Sequence, residues 1–345
     1  MKIAVIADIP TRGFSGGRYY SVLIASCLSQ YADLVDFYSI NTKSQIYDGF
    51  RDNYKVKFYD WRRMEKIRKP KKVYDFCIVF VDLSGKSKAH QRRVNFAKKI
   101  SNKTIMMSFE TENWWNEFCP YKRDPIMWKP WLETAEQVDH VFYLSEENKR
   151  YGKKFYNKKT KSCVWPGPVN LREIKDNPEK SKELTVLARI GNYSENKGYD
   201  MLGSLDTPIL NGYTININIA NQGHAKESRI LFNNDIKLNF TSMLDEDEKF
   251  SLLERSEILF FPSQFEGLGL PPLEAECCGC KVICTDLPVL RQHKNNKYFF
   301  FKRDYSDFYR VLRKCIKSKV NTSRGKQYLL MQHFGKKMID DLNSL

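Results

Sequence analysis

Short apolar runs alternate with longer amphipathic stretches along both halves of the chain. Residues 258–261 form an unbroken apolar run, which is typical of a strand buried on both faces. Residues 2–7 and 74–81 predict further strands near the start of the chain. After the first of them, apolar residues recur at helical spacing at Tyr20, Leu23, Ile24, Cys27 and Leu28. This alternation predicts an α/β protein with doubly wound domains.

The length and one Pro/Gly cluster indicate how the chain divides. At 345 residues it is too long for one ordinary domain and suits two domains of about 150 to 170 residues. Pro166, Gly167 and Pro168 follow the last strand predicted for the first half and mark a boundary. We therefore expect an N-terminal domain at 1–167, a second domain at 168–325 and a terminal helical segment at 326–345.

The stretch 258–273 combines a buried strand, a glycine loop and the start of a helix. Gly267 and Gly269 would let the loop backbone approach a ligand closely, because glycine has no Cβ. Pro272 is a plausible first residue of the helix that follows. The free N–H groups of that turn and the positive end of the helix dipole favour an anion, most naturally phosphate.

Two carboxylates frame this loop, Glu266 before it and Glu274 inside the helix. An acidic group beside a phosphate site is unfavourable unless it contacts another part of the ligand. An ionised carboxylate only accepts hydrogen bonds, and sugar hydroxyls donate them. The pattern therefore indicates a ligand with phosphate and sugar parts, such as a nucleotide-sugar.

The segment Phe-Glu-Gly-Leu-Gly-Leu-Pro-Pro-Leu-Glu-Ala at 265–275, with seven residues between its glutamates, resembles a signature of the family-4 retaining glycosyltransferases. Residues 279–286 are similar to the next turn and strand of that family. The resemblance implies the GT-B fold: two Rossmann-like domains facing a cleft, with a C-terminal helix that returns to the N-terminal domain. It also implies transfer of a sugar from a nucleoside-diphosphate sugar to a hydroxyl, with retention at the anomeric carbon.

The resemblance assigns three residues to catalysis, namely Glu266, Arg189 and Lys197. Arg189 and Lys197 match the cations that neutralise the diphosphate of the sugar donor, whose leaving group gains charge in the transition state. Glu266 would contact the donor sugar near the reacting carbon. We expect neither a cofactor nor a metal ion, because Arg, Lys and helix termini can supply the positive charge.

The resemblance also indicates which groups bind the sugar donor. Glu274 would hold the ribose hydroxyls. A glycine pair after the first strand resembles the N-terminal glycine-rich loop of the family. The backbone groups expected to hold phosphate and sugar are those of Gly16, Gly17, Gly267, Leu268, Gly269 and Leu270.

Acceptor-site candidates follow the strand predicted at 104–108. Glu110 stands where the family often carries a histidine, and ligands of open α/β sheets lie beyond the carboxyl ends of strands. Trp114 and Trp115 could stack on sugar rings or bases. We expect Trp128 and Trp131 to belong to the core.

The charge of the chain is uneven. Residues 1–165 hold 31 Lys and Arg against 18 Asp and Glu, so 13 of the net 16 positive charges lie in the first half. This surplus favours an anionic partner of the N-terminal domain: a membrane surface, a lipid-linked phosphate or nucleic acid. The basic segment 61–72 leaves two interpretations open, an interfacial helix with Trp61 in the membrane surface or an ordinary helix that packs inward.

The remaining patterns suggest a cytoplasmic protein. The nine cysteines form no paired framework, and the start of the chain does not resemble a signal peptide. Cys277, Cys278 and Cys280 lack a second ligand pair at zinc spacing and suit the back of a helix. The acidic triplet at 245–247 suits a helix start. We expect a cytoplasmic location, with association with the inner face of the membrane left open.

A lipid-linked or cell-surface glycan is the preferred acceptor. Several alternative functions stay open beside this one. The runner-up among transferases modifies nucleic acid. A non-catalytic accessory subunit of the same fold would more readily have lost one of Arg189, Lys197, Glu266 and Glu274, all of which are present. A glycosidase also uses two carboxylates but needs no phosphate loop. An epimerase is disfavoured by the spacing of the glutamates.

Overall fold

A computed structural model of the chain describes residues 1–9, 16–43, 55–66, 73–81, 87–167, 169, 178–190, 195–219, 229–232, 236–242, 244–293, 295–319 and 331–345. The chain forms two compact units. Unit 1 comprises Met1–Asn170 and Tyr328–Leu345, and unit 2 comprises Leu171–Gln327. The first division lies three residues after the expected boundary at 167.

Unit 1 contains a six-stranded parallel sheet. Its strands are β1 (Lys2–Ile6), β2 (Leu34–Ser39), β3 (Val56–Asp60), β4 (Tyr74–Phe80), β5 (Ser101–Ser108) and β6 (His140–Tyr143). Their order across the sheet is β3-β2-β1-β4-β5-β6. The order reverses between β1 and β4, as in a doubly wound sheet.

The helices of unit 1 follow the strands in alternation. They are α1 (Gly16–Leu28), α2 (Trp61–Glu65), α3 (Ser87–Ile100), α4 (Glu112–Phe118), α5 (Lys129–Gln137) and α6 (Glu146–Tyr156). Helix α6 begins where Ser145 accepts a hydrogen bond from the backbone N–H of Asn148, and it ends at Asn157, which has a left-handed φ of 48°.

Unit 2 repeats the same plan with a second parallel sheet. Its strands are β7 (Ser181–Ile190), β8 (Thr214–Ile219), β9 (Lys237–Ser242), β10 (Ser256–Phe261), β11 (Lys281–Thr285) and β12 (Tyr298–Phe301). Their order is β12-β11-β10-β7-β8-β9. Its helices are α7 (Glu246–Arg255), α8 (Leu270–Cys277), α9 (Pro288–Arg291) and α10 (Tyr305–Lys317). The predicted α/β class with two Rossmann-like units is confirmed.

The core of unit 2 lies between its sheet and its helices. Phe260 near the end of β10 packs on Phe301 and Phe308. The cysteines after the glycine loop, Cys277, Cys278 and Cys280, are free and buried, as the sequence indicates. Burial raises the pKa of the Cys280 thiol, so this group stays protonated and packs as a small apolar side chain.

The terminal helix α11 (Met331–Asn343) belongs to unit 1, which confirms the expected return of the chain. It packs on α1 through Gly335. A Cβ at this glycine would lie 2.5 Å from the carbonyl oxygen of Cys27 and 2.7 Å from the ring of Tyr31. A hydrogen bond also links α11 to the end of the Met1–Asn170 segment, since Trp165 Nε1 donates to Asp341 Oδ2 at 2.9 Å.

The structure decides between the two interpretations of Trp61. Its side chain is 2% exposed and packs against Phe96, and its Nε1 donates to Asp8 Oδ1 at 2.8 Å. The guanidinium of Arg92 lies 5.4 Å from the ring centroid. The idea of Trp61 as a membrane-interface anchor is therefore wrong. Among the described residues, no helix has the length and apolar character needed to cross a bilayer.

We expect Gly335→Ala to destabilise unit 1, because the added methyl group meets a backbone oxygen that cannot move aside. Overpacking of this kind costs about 1–3 kcal/mol. Lys336→Ala, at an exposed position of the same helix, serves as the control. Scanning calorimetry should show a lower melting temperature for the glycine variant alone. Equal melting curves for the two variants would contradict the close packing of α11 on α1.

Candidate functional site

Two of the predicted catalytic residues, Lys197 and Glu266, meet where two neighbouring strands of unit 2 end. β7 and β10 pair in parallel, so their carboxyl ends lie at one edge of the sheet. Lys197 lies in a short 3₁₀ turn (Glu195–Lys197) after β7. Glu266 follows β10. This edge, at the reversal of strand order, is where ligands of open α/β sheets bind.

Lys197 and Glu266 form an ion pair there. Lys197 Nζ donates to Glu266 Oε1 at 2.6 Å, with the side chains 34% and 12% exposed. The backbone N–H of Gln264 donates to the carbonyl oxygen of Asn196 at 2.7 Å. The two segments are therefore joined twice, once by main chain and once by charge.

Gly198 explains how closely these segments approach. Its φ is +82°, and a Cβ in its place would lie 2.3 Å from the carbonyl oxygen of Pro262. Only glycine fits, because both the left-handed backbone and the adjacent main chain exclude a side chain.

The glycine loop leads directly into α8. Gly269 caps the helix with a φ of +84°, and among the described residues no side-chain cap hydrogen bond forms at this helix start. Pro271 and Pro272 in the first turn carry no N–H. The free backbone donors of this helix start are therefore concentrated at Gly269 and Leu270, two of the positions expected to bind phosphate and sugar. Leu268 is buried beneath the loop, and its carbonyl oxygen lies 3.3 Å from His293 Nε2.

Glu274 lies one turn into α8 and is 4% exposed. Its Oε1 accepts a hydrogen bond from Lys249 Nζ at 2.7 Å, and the same ammonium lies 2.9 Å from Glu246 Oε1. Burial raises the pKa of the Glu274 carboxyl above its ordinary value, and the charge of Lys249 counteracts part of this rise. Although burial alone would lower the pKa of Lys249, the two carboxylates raise it above the usual range.

Lys249 is the site residue that sequence reasoning missed. Its spacing of three residues from Glu246 on α7 is visible in the sequence and predicts a local ion pair. Its contact with Glu274 joins two helices and depends on their packing, which no local pattern encodes.

Other predicted positions are less informative. Arg189 lies near the carboxyl end of β7, but its side chain falls outside the described residues. Gly16 and Gly17 are the first residues of α1. Residues 10–15, which lie between β1 and α1, are outside the described part of the chain. A Cβ at Gly17 would contact the ring of Phe109 at 3.6 Å, whereas a Cβ at Gly16 would meet no atom of the described residues within 4 Å.

The acceptor-site candidates of unit 1 have mixed outcomes. Glu110 follows β5 and accepts a hydrogen bond from Arg123 at 2.7 Å. The guanidinium of Arg123 also lies 3.3 Å from the ring centroid of Trp115. This arrangement fixes Glu110 at the carboxyl edge of the sheet.

The two tryptophans beside it are corrected. Trp114 and Trp115 are buried, and Trp114 stacks on Tyr151 with ring centroids 5.7 Å apart. Neither ring offers an open face to a sugar, so both belong to the core. Trp128 and Trp131 are core residues, as expected.

The acidic triplet at 245–247 starts α7. The Asp245 side chain accepts a hydrogen bond from the backbone N–H of Glu248. The Glu248 side chain in turn accepts one from the backbone N–H of Asp245, which completes a capping box. The interpretation as a helix cap is confirmed.

The chain resembles known proteins at two levels of coverage. Residues 171–328, which include the whole of unit 2, match the family described as Glycosyl transferases group 1. The serotype-specific mannosyltransferase WbdA of Escherichia coli is 33% identical over 81 residues. That match covers 23% of this chain and only 10% of WbdA.

Solved structures match along the whole chain. Anabaena Alr3699/HepE in complex with UDP-glucose superposes with a TM-score of 0.74 at 12% identity, covering 100% of both chains. The pneumococcal O-GlcNAc transferase GtfA, in complex with UDP and GlcNAc, has a TM-score of 0.72 at 12% identity and is covered to 100%. The lipopolysaccharide outer core galactosyltransferase WaaB has a TM-score of 0.64 at 15% identity. At these identities the likeness establishes the fold.

Gly198→Ala should destabilise unit 2 much more than Gly212→Ala. Both glycines have left-handed φ values, +82° and +81°, but a Cβ at Gly212 would meet no atom of the described residues within 4 Å. The control therefore carries only the backbone cost of about 1–2 kcal/mol, whereas the site variant adds the clash with Pro262. Thermal unfolding of the two variants measures the difference. Similar losses of stability would show that the segments of Lys197 and Glu266 are not held together at this glycine.

Proposed function

We propose that the protein moves a sugar from a nucleoside-diphosphate sugar to a hydroxyl acceptor with retention at the anomeric carbon, since residues 171–328 match the family Glycosyl transferases group 1 and the chain has the GT-B fold. One observation carries the proposal. The Lys197–Glu266 pair lies beside a helix start whose free backbone donors are at Gly269 and Leu270. A cation, a carboxylate and free N–H groups at one sheet edge match a ligand with phosphate and sugar parts.

The ion pair suggests how the sugar donor enters. A diphosphate carries more charge than one carboxylate and competes with Glu266 for the ammonium of Lys197. When Lys197 turns to phosphate, Glu266 regains its acceptor oxygens for sugar hydroxyls. Lys197 and Arg189 then stabilise the charge that grows on the leaving diphosphate, while Glu274 accepts hydrogen bonds from the ribose.

Retention rests on the resemblance of the 265–275 segment to the family-4 signature. The neighbours support the class of sugar donor, since Alr3699/HepE is described with UDP-glucose and GtfA with UDP and GlcNAc. No metal ion enters the proposed reaction, because Lys197, Arg189 and the start of α8 supply the positive charge.

For the acceptor we propose a lipid-linked or cell-surface glycan, handled by a cytoplasmic enzyme that associates peripherally with the membrane. WaaB acts in the lipopolysaccharide outer core, and WbdA is a serotype-specific mannosyltransferase. Unit 1 presents many exposed cations, including Lys57, Arg63, Lys98, Lys99, Lys153 and Lys154. Because Trp61 is buried, this association would be mainly electrostatic.

Lys197→Ala should weaken binding of the nucleoside diphosphate by about 10- to 150-fold, since a hydrogen bond to a charged group contributes roughly 1.5–3 kcal/mol. Thermal shift with UDP-, GDP-, dTDP- and ADP-sugars measures this, with and without EDTA. Lys182→Ala, at an exposed position on β7, is the control. We expect one nucleotide to stabilise the wild type and the control equally, whether or not EDTA is present. Absence of stabilisation by every nucleotide would favour the accessory-subunit alternative.

Unit 1 should bind anionic vesicles in a salt-dependent manner. The double variant Lys98→Glu/Lys99→Glu reverses two adjacent exposed charges on α3, and Arg313→Glu/Lys314→Glu does the same on α10 of unit 2. Each cation near the surface contributes about 1 kcal/mol, so the first variant should lose more than tenfold in affinity and the second little. Cosedimentation with phosphatidylglycerol vesicles measures it. Binding to duplex DNA but not to vesicles would instead favour the nucleic-acid acceptor.

A further inference from the structure

Glu274 depends on a lysine that lies outside the strand–loop–helix element. We propose that Lys249 is a positioning residue for the sugar-donor site, whose ammonium keeps Glu274 ionised and holds one carboxylate oxygen so that the other faces the ligand. The inference rests on the proposed function, because it assumes that Glu274 binds the hydroxyls of the sugar donor.

The two carboxylate oxygens of Glu274 have different surroundings. Oε1 of Glu274 accepts the hydrogen bond from Lys249 at 2.7 Å. Within the part of the chain that the structure describes, Oε2 accepts no hydrogen bond. One oxygen is therefore anchored, and the other is available to a pair of ligand hydroxyls.

The charge of Lys249 also favours the ionised form of Glu274. Glu274 is almost fully buried, and burial raises its pKa. A protonated carboxyl presents a hydrogen of its own and loses part of its capacity to accept. The charged groups that face Glu274 are Lys249 and Glu246 from α7, with the Cys278 thiol nearby at the end of its own helix. Lys249 is the cation among them, and it opposes both burial and the negative charge of Glu246.

Two carboxylates hold the ammonium of Lys249 in place. Its ammonium lies between the carboxylates of Glu246 and Glu274, at 2.9 and 2.7 Å, and its side chain is 15% exposed. Two carboxylates raise its pKa, so it stays charged across the physiological range. Without Glu246, the Lys249 ammonium would pair with Glu274 alone.

Loss of Lys249 should weaken binding of the sugar donor more at low pH than at high pH. Without Lys249 the pKa of Glu274 rises further, so more of the carboxyl is protonated at neutral pH. Raising the pH ionises it again and restores its acceptor capacity. A lysine that served packing alone would give a loss that does not depend on pH in this way.

The test compares KM and kcat for the nucleotide-sugar that stabilises the wild type, between pH 6 and 9. Lys249→Met should raise KM about tenfold or more at pH 7, with a smaller change in kcat, and the KM ratio to wild type should shrink toward pH 9. Lys249→Arg should restore most of the affinity. In a Glu274→Gln background, Lys249→Met should add no further increase in KM.

A matched control is available in the same unit. Lys281 also forms a buried ion pair, with Glu257 at 3.0 Å, but it starts β11 at the opposite edge of the sheet. Lys281→Met should lower thermal stability without a pH-dependent change in KM. If Lys249→Met fails to fold, Glu246→Gln tests the same idea, since it should move the acid limb of the KM profile down by about half a pH unit.

The outcomes separate the two claims. A KM effect of Lys249→Met that is constant with pH, or that persists in the Glu274→Gln background, would overturn the positioning role. An unchanged acid limb in Glu246→Gln would also overturn it. If Glu274→Gln alone leaves KM unchanged, the assignment of Glu274 to the sugar donor fails instead.

Discussion

A charge that is removed from water must find a partner, and the carboxyl edge of unit 2 is arranged around that constraint. Lys197 pairs with Glu266, and Lys249 pairs with Glu274. Each pair joins chain segments that are distant in sequence, so the groups assigned to ligand binding also hold the edge together. Breaking a buried pair by removing one partner typically costs about 3–5 kcal/mol. Ligand binding and local stability therefore depend on the same contacts.

Much of the fold was predictable because its signals are local. Apolar runs and helical spacing predict the alternation of strands and helices, and the 265–275 segment carries glycine loop and helix start within eleven residues. The predicted GT-B fold is confirmed, and residues 171–328 match the family Glycosyl transferases group 1. Lys249 was not predictable as a partner of Glu274, because their contact arises only when α7 and α8 pack. The roles of Glu266, Glu274 and the other site residues stay predictions.

The tryptophans show where residue type is a poor guide. Trp61, Trp114 and Trp115 all lie in helices of five to seven residues, too short for periodicity to reveal a buried face. All three are buried, and nearby arginines lie over the rings of Trp61 and Trp115. A tryptophan among basic residues therefore resembled an interface anchor in the sequence, although the cations cover the ring and do not mark its exposure.

The return of α11 to unit 1 has a consequence for biosynthesis. The ribosome completes every strand of unit 1 before unit 2, but the helix that covers α1 near Cys27 emerges only after unit 2. At about 5–20 residues per second, synthesis of the intervening segment takes roughly 8 to 30 s. During that interval an apolar face of α1 lacks its final cover. Unit 1 is thus the first to start folding and the last to finish, which gives chaperones a defined window in which to bind the nascent chain.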